Sequence, residues 1–311
     1  MIRIYFLLKL FSILSICLLM SCEDPQIEYK PQYGYFLKEG KIDFRIYAPN
    51  ADSVILVIFQ NYDDDDGEEY IMEKLHSGDW EISIKGLKVG ALYGYRLIGP
   101  HNSPSVIIAD PYSKLAVTQN NFRHIAKSLI IDDSFDWEGD SWSTIKMNDL
   151  IIYEAHLRDM TAHGTSGVEN NGSYKGFIEN DQKGGIEHLK NLGVNAVQFL
   201  PLWDFANFEI PYKVDTVGFY NDWNPYERNH WGYMPTFFMA PETYYSSDHS
   251  SKPDSWNGQH GLAVKEMKEM VKELHANDIA VILDVVINHV SNYDFHPLKY
   301  IDKSIYFKLN D

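Results

Sequence analysis

The stretch Ala280-Val281-Ile282-Leu283-Asp284-Val285-Val286-Ile287-Asn288-His289 decides the fold. Its first half is an apolar run with β-branched residues, and it leads directly into an acid, an amide and an imidazole. A buried parallel strand reads this way when it delivers polar side chains to its C-terminal end, the face on which α/β barrels do their chemistry. The predicted strand covers Ala280 to Val286.

The elements before it support this reading. Residues from Leu262 to Ala276 place Val264, Met267, Val271 and Leu274 on one helical face opposite lysines and glutamates. Ala196-Val197-Gln198-Phe199-Leu200 forms a second strand ending at Pro201. It follows a helix, Ile186 to Leu192, that Gly193 closes. Leu150-Ile151-Ile152-Tyr153 is a short buried strand. Strand, helix, strand, helix, strand is the start of a parallel α/β fold. Between Trp203 and Asn257 lies an insertion rich in aromatics, Asp, Asn and Pro. Loops of that length are usually functional, and this one leaves the C-terminal end of the second strand.

Towards the N-terminus the period changes to two. Ile42, Phe44 and Ile46 alternate with polar partners, Val54 to Phe59 is continuously apolar, and Trp80, Ile82 and Ile84 alternate again. Ala48-Pro49-Asn50, Ser77-Gly78-Asp79 and Lys85-Gly86 supply turns, so the segment reads as a small β-sandwich. The acidic run Asp63 to Asp66 before Gly67 lacks an acid at position 62, where Tyr62 stands, and has no flanking helices. A solvated hairpin loop accounts for it better than a calcium loop.

The first twenty-two residues read as a targeting segment. Arg3 and Lys9 precede an apolar run, Leu10 to Met20, that is short for a bilayer span. Leu19-Met20-Ser21-Cys22 is similar to a bacterial lipobox, which would make Cys22 a lipid-bearing N-terminus and place the protein in the cell envelope. An ordinary signal peptide or an anchor that happens to end in Cys is the alternative. Cys17 and Cys22 are the two cysteines, so no disulfide framework is expected in the mature chain. A net charge of -17 argues against nucleic acid and anionic membrane surfaces as partners.

Several motifs carry a family resemblance. Phe44-Arg45-Ile46-Tyr47-Ala48-Pro49-Asn50-Ala51, Gly78-Asp79-Trp80, Gly90 to Arg96 and Ala109-Asp110-Pro111-Tyr112 resemble carbohydrate-binding module family 48 with its following linker. Tyr153 to Thr161, Gly185 to Val197, Leu200-Pro201, His230-Trp231-Gly232-Tyr233-Met234-Pro235, Ala240-Pro241-Glu242 and Asp284 to His289 resemble the pullulanase and isoamylase branch of glycoside hydrolase family 13.

The resemblance implies a multidomain chain: an N-terminal β-sandwich followed by an incomplete (β/α)8 TIM barrel. The expected division is a leader at 1–22, a linker at 23–39, the sandwich at 40–120, a connector at 121–147 and the first part of the barrel at 148–311. It further implies a retaining α-glucan hydrolase acting on starch, glycogen or pullulan, in which Tyr233 stacks on a glucose, His289 bonds its hydroxyls and Asp284 positions later groups. Trp231 lines the cleft or supports Tyr233. Asn288 is a weak calcium candidate, and no cofactor is otherwise required. The nucleophile and general acid are expected beyond Asp311, since Glu154, Asp159 and Asp284 do not match those positions. With three of eight strands, this portion is expected to be unstable alone, through bare strand edges and an uncovered helix face, and not to catalyse. A non-catalytic, membrane-anchored glucan-binding protein is the alternative.

Three departures stand out, one of them His249 with the Ser-rich stretch around it. Asn229-His230 occupies the place of a usual tyrosine-asparagine pair, and Met234 follows Tyr233 where an acid is common.

Overall fold

The computed structural model describes residues 32–100, 102–121, 123–141, 144–206, 229–291 and 296–307. Cys22 and the leader lie outside the described residues.

The sandwich consists of two antiparallel sheets. One has the order β1-β2-β6-β5, from strands Gly34–Lys38, Lys41–Tyr47, Asp79–Lys85 and Glu73–Lys74. The other is built on β3 (Ser53–Phe59), β4 (Glu68–Ile71), β7 (Leu92–Ile98), β8 (Ile107–Ile108), β9 (Ala116–Gln119) and β10 (Ala126–Leu129). Phe44, Ile46 and Trp80 from the first sheet meet Leu56, Tyr93 and Tyr95 from the second in one buried core. Ile55, Val57 and Phe59 on the opposite face of β3 enter a different core, shared with the α/β part. Both faces of β3 are therefore covered, which is why its sequence runs apolar without alternation.

Two expected boundaries are corrected. β1 begins at Gly34, inside the stretch read as linker, and pairs along its length with β2. β10 falls inside the stretch read as connector and pairs with β7 and β9. Extended pairing is favoured here because an unpaired segment would leave backbone groups unsatisfied beside the core. The acidic run is the β3–β4 turn, where Asp64 accepts hydrogen bonds from the Asn61 and Gln60 amides.

The α/β part has a three-stranded parallel sheet, β11-β12-β16, from Ile152–Ala155, Ala196–Phe199 and Ala280–Leu283. Its register pairs Phe199 with both Ala155 and Leu283. The last strand is shorter than expected, ending at Leu283. Only β12 is largely buried; Ile152 is 49% and Leu283 45% exposed, so β11 and β16 are not the buried strands expected from their composition. Each flanks the central strand and, among the described residues, pairs on one side only.

Helices α1 (Tyr174–Phe177), α2 (Gly185–Leu192) and α3 (Leu262–Ala276) pack beside this sheet. The buried line of α3 is Ala263, Glu266, Met270 and Leu274, with Val264 and Met267 at its margin. The expected face is thus offset, and it is covered rather than bare. Buried Glu266 accepts hydrogen bonds from the Ser247 amide and hydroxyl.

The described parts of the long insertion contain strands. β13 (Trp203–Phe205) and β14 (Pro235–Pro241) form an antiparallel ribbon. β15 (Trp256–Asn257) crosses over to extend the sandwich sheet beside β9. Helix α4 (Pro297–Tyr306) buries Ile301 in the sandwich core, and Asn50 donates to Asp302 across that contact at 2.7 Å.

Asp110 locks the end of the sandwich. It is fully buried, and its carboxylate accepts from Tyr93 Oη at 2.8 Å, Tyr95 Oη at 3.3 Å and the Tyr112 amide at 2.8 Å. Burial pushes its pKa up to about 6 in spite of those donors. A raised carboxyl pKa means that the folded state holds the proton more tightly than the unfolded chain. The contribution is thus fully present below about pH 4 and is lost as pH rises to about 6. Asp110→Asn is expected to abolish this part of the pH dependence. Urea melts of both proteins at pH 4, 5, 6 and 7 check it: the stability difference should change only below pH 6.

Candidate functional site

Three segments converge at the C-terminal edge of the parallel sheet, where residues leaving each strand are still held by ladder hydrogen bonds. The Leu200 amide donates to Ala155 O at 3.0 Å and the Asp284 amide to Phe199 O at 3.0 Å. His156 follows β11, Leu200-Pro201 follows β12 and Asp284 follows β16. The segment 229–234, just before β14, touches the residues leaving β11 and those leaving β16.

Gly232 sets the turn of that segment. Its φ is +80°, and a Cβ there would sit 2.8 Å from the Phe205 ring. Only glycine meets both conditions without strain. The turn leaves Trp231 64% exposed, while the next residue, Tyr233, is partly covered.

Tyr233 Oη donates to Asp284 Oδ2 at 2.6 Å. Its carbonyl lies 2.6 Å from His289 Nε2, whose N–H donates to it. The hydrogen bond to Asp284, with burial as a second cause, pushes the tyrosine pKa up to about 12. Asn288 is exposed, and its Oδ1 lies 3.2 Å from His289 Nδ1. Tyr233, Asp284, His289 and Asn288 are thus brought together. Trp231 stands as an exposed aromatic surface.

A second constellation adjoins the first and went unassigned in the sequence. The rings of His156 and His230 stack with centroids 4.3 Å apart, and His230 Nε2 lies 3.1 Å from Asp159 Oδ1. The hydrogen bond to His230 is the chief cause holding the Asp159 pKa below the usual range, and burial lowers that of His156. Its one signal was the histidine in Asn229-His230. Deeper still, fully buried Glu242 accepts from the Phe205 and Tyr244 amides at 2.9 and 2.6 Å. Burial, and then the neighbouring Asp204, push its pKa up to about 8.

Chemically, the first constellation offers a flat ring held through its hydroxyl, with a carboxylate and an imidazole close by. That set suits a polyhydroxylated ring with an apolar face better than a phosphate or an extended peptide.

Residues 29–113 match carbohydrate-binding module 48, the isoamylase N-terminal domain. Isoamylase 3 of Oryza sativa subsp. japonica is 33% identical over 308 residues, covering 88% of this chain and 36% of its own length. Pullulanase of Bacillus subtilis (strain 168) is 28% identical over 292 residues, covering 92% of this chain and 37% of its own. The crystal structure of Paenibacillus barengoltzii pullulanase in complex with maltohexaose and α-cyclodextrin superposes with a TM-score of 0.72 at 27% identity. That match covers 91% of this chain and 42% of the other. The chain therefore carries an N-terminal carbohydrate-binding module 48 domain and is homologous to isoamylases and pullulanases along most of its length. It spans well under half the length of these relatives.

Proposed function

We propose that this chain is the glucan-recognising part of a debranching-type α-glucan hydrolase, with the bond-cleaving carboxylates carried beyond residue 311. The observation that carries the reading is the Tyr233–Asp284–His289 constellation at the C-terminal edge of a parallel sheet. It stands in a chain homologous to isoamylases and pullulanases, and the similar Paenibacillus barengoltzii structure holds maltohexaose. In this reading Tyr233 presents its ring to the apolar face of a glucose, Asp284 fixes the tilt of that ring through the hydroxyl, and His289 holds the backbone of the same residue. Cleavage itself would proceed with retention, through two carboxylates about 5 Å apart.

The test is calorimetric titration of the purified chain with maltohexaose and with cellohexaose, alongside a reducing-sugar assay on pullulan. Binding of maltohexaose but not cellohexaose, without release of reducing sugar, is the expected result. No binding of either would sink the reading. Release of reducing sugar would retain the glucan substrate and refute the location of the cleaving groups.

A further inference from the structure

We propose that His156, Asp159 and His230 form a binding site for a zinc-class divalent metal ion, which pins the segment 229–234 to the end of β11. One donor atom from each of the three side chains lies within 4.8 Å of the others. Asp159 Oδ1 is the hub: it stands 3.5 Å from His156 Nδ1 and 3.1 Å from His230 Nε2. Tetrahedral ligands around zinc at its usual bond lengths are separated by about 3.3 Å. These two oxygen–nitrogen separations therefore already match a metal sphere, and only the two nitrogens must close on each other.

The tautomer of His156 favours the same assignment. Its Nε2–H donates to His230 O at 2.7 Å, with Tyr245 Oη also within 3.1 Å. The Nδ1 is thereby left with its lone pair directed at Asp159. A histidine ligand is ordinarily oriented this way, its second nitrogen anchored to a carbonyl. The Asp159 amide, at a long 3.2 Å, is the competitor for that lone pair. The neighbouring cation, Arg158, bonds Tyr244 Oη and lies over its ring with 4.7 Å to the centroid. Two imidazoles and one carboxylate suit zinc, cobalt(II) or nickel(II) better than calcium or magnesium. Three protein ligands also leave a position for water. Asp159 is exposed, so an ion has a route in from solvent.

The consequence would be mechanical. His230 belongs to the same segment as Trp231 and Tyr233, so an ion at this position would tether the aromatic platform to β11. The site is proposed from these residues alone and does not depend on the glucan reading.

The test uses the full chain and cobalt(II) as probe, read by its visible absorption, with zinc(II) calorimetry in parallel. One ion per chain with an intense visible band is expected. His230→Asn and Asp159→Asn should each weaken binding at least about a hundredfold, beyond the ten- to hundredfold typical of losing an outer-sphere partner. Their melting temperatures without metal should stay close to the parent's, since both side chains reach solvent. His76→Gln, an exposed histidine elsewhere, should leave the titration unchanged. Absence of binding in the parent would overturn the proposal, as would binding that His230→Asn leaves intact. A plain Asp159–His230 ion pair would then be the correct description.

Discussion

Asp204→Ala is expected to destabilise the folded chain by about 1–3 kcal/mol, the range for leaving a buried hydrogen-bonding group without its partner. Asp204 lies on β13 and His124 on the turn between β9 and β10, so their contact joins the α/β part to the sandwich. His124 Nε2 is 2.8 Å from Asp204 Oδ1, with side-chain exposures of 1% and 0%. Burial pushes the Asp204 pKa well up, and the nearby Glu242 carboxyl is raised as well. Neither acid is at ease as an anion there, and the imidazole is the hydrogen-bond partner of Asp204. Removing Asp204 leaves a buried ring nitrogen that has lost its acceptor in a site closed to water. Asp204→Asn keeps an oxygen in the same place and should cost only about 1 kcal/mol. Urea denaturation followed by tryptophan fluorescence measures both. A loss under 1 kcal/mol in the alanine variant would show that the contact is not what holds the two parts together.

That pair also shows where sequence reading stops. The bounds of helix α3 were legible because its period is a property of one segment, although its buried face is offset from the expected one. The strands at Ala196 and Ala280 were legible as strands for the same reason, although the second ends at Leu283. His124 and Asp204 are eighty positions apart, and nothing local to either marks a partner. β15 was likewise hidden, since a two-residue strand has no period and pairs with the sandwich sheet through β9. Glu266 looked like a solvated position on α3. It is buried because Ser247, contributed by another segment, satisfies its carboxylate.

The site divides in the same way. That Asp284 leaves a strand end was readable, because the apolar run before it is local; its bond to Tyr233 was not, because the two are 51 positions apart. Trp231 precedes the left-handed turn at Gly232 and is exposed. His156 was quoted only as part of a strand motif. Its stacking on His230 depends on a fold-back over 74 positions that periodicity cannot encode.

Tyr233→Ala is expected to weaken maltohexaose binding by at least about tenfold, or ~1.4 kcal/mol. The ring is the part of this residue that can match the apolar face of a pyranose, and aromatic contacts of this kind contribute about 0.5–1.5 kcal/mol beyond the area they bury. The hydroxyl has a different task, since its bond to Asp284 fixes the ring's orientation before any ligand arrives. Tyr233→Phe keeps the ring and loses that bond, so its effect should be smaller, near threefold, or about 0.6 kcal/mol, within the range for one hydrogen bond. Because the hydroxyl pKa is pushed up to about 12, it remains a donor throughout pH 5 to 9, and tyrosine ionisation should leave no imprint on binding across that range. Calorimetric titration of the parent and both variants at three pH values separates these contributions. If the alanine variant bound like the parent, Tyr233 would not be the platform, and the glucan would have to be sought on the sandwich. If phenylalanine lost as much as alanine, the hydroxyl would be touching the sugar itself, and Asp284 would hold the ligand rather than the ring.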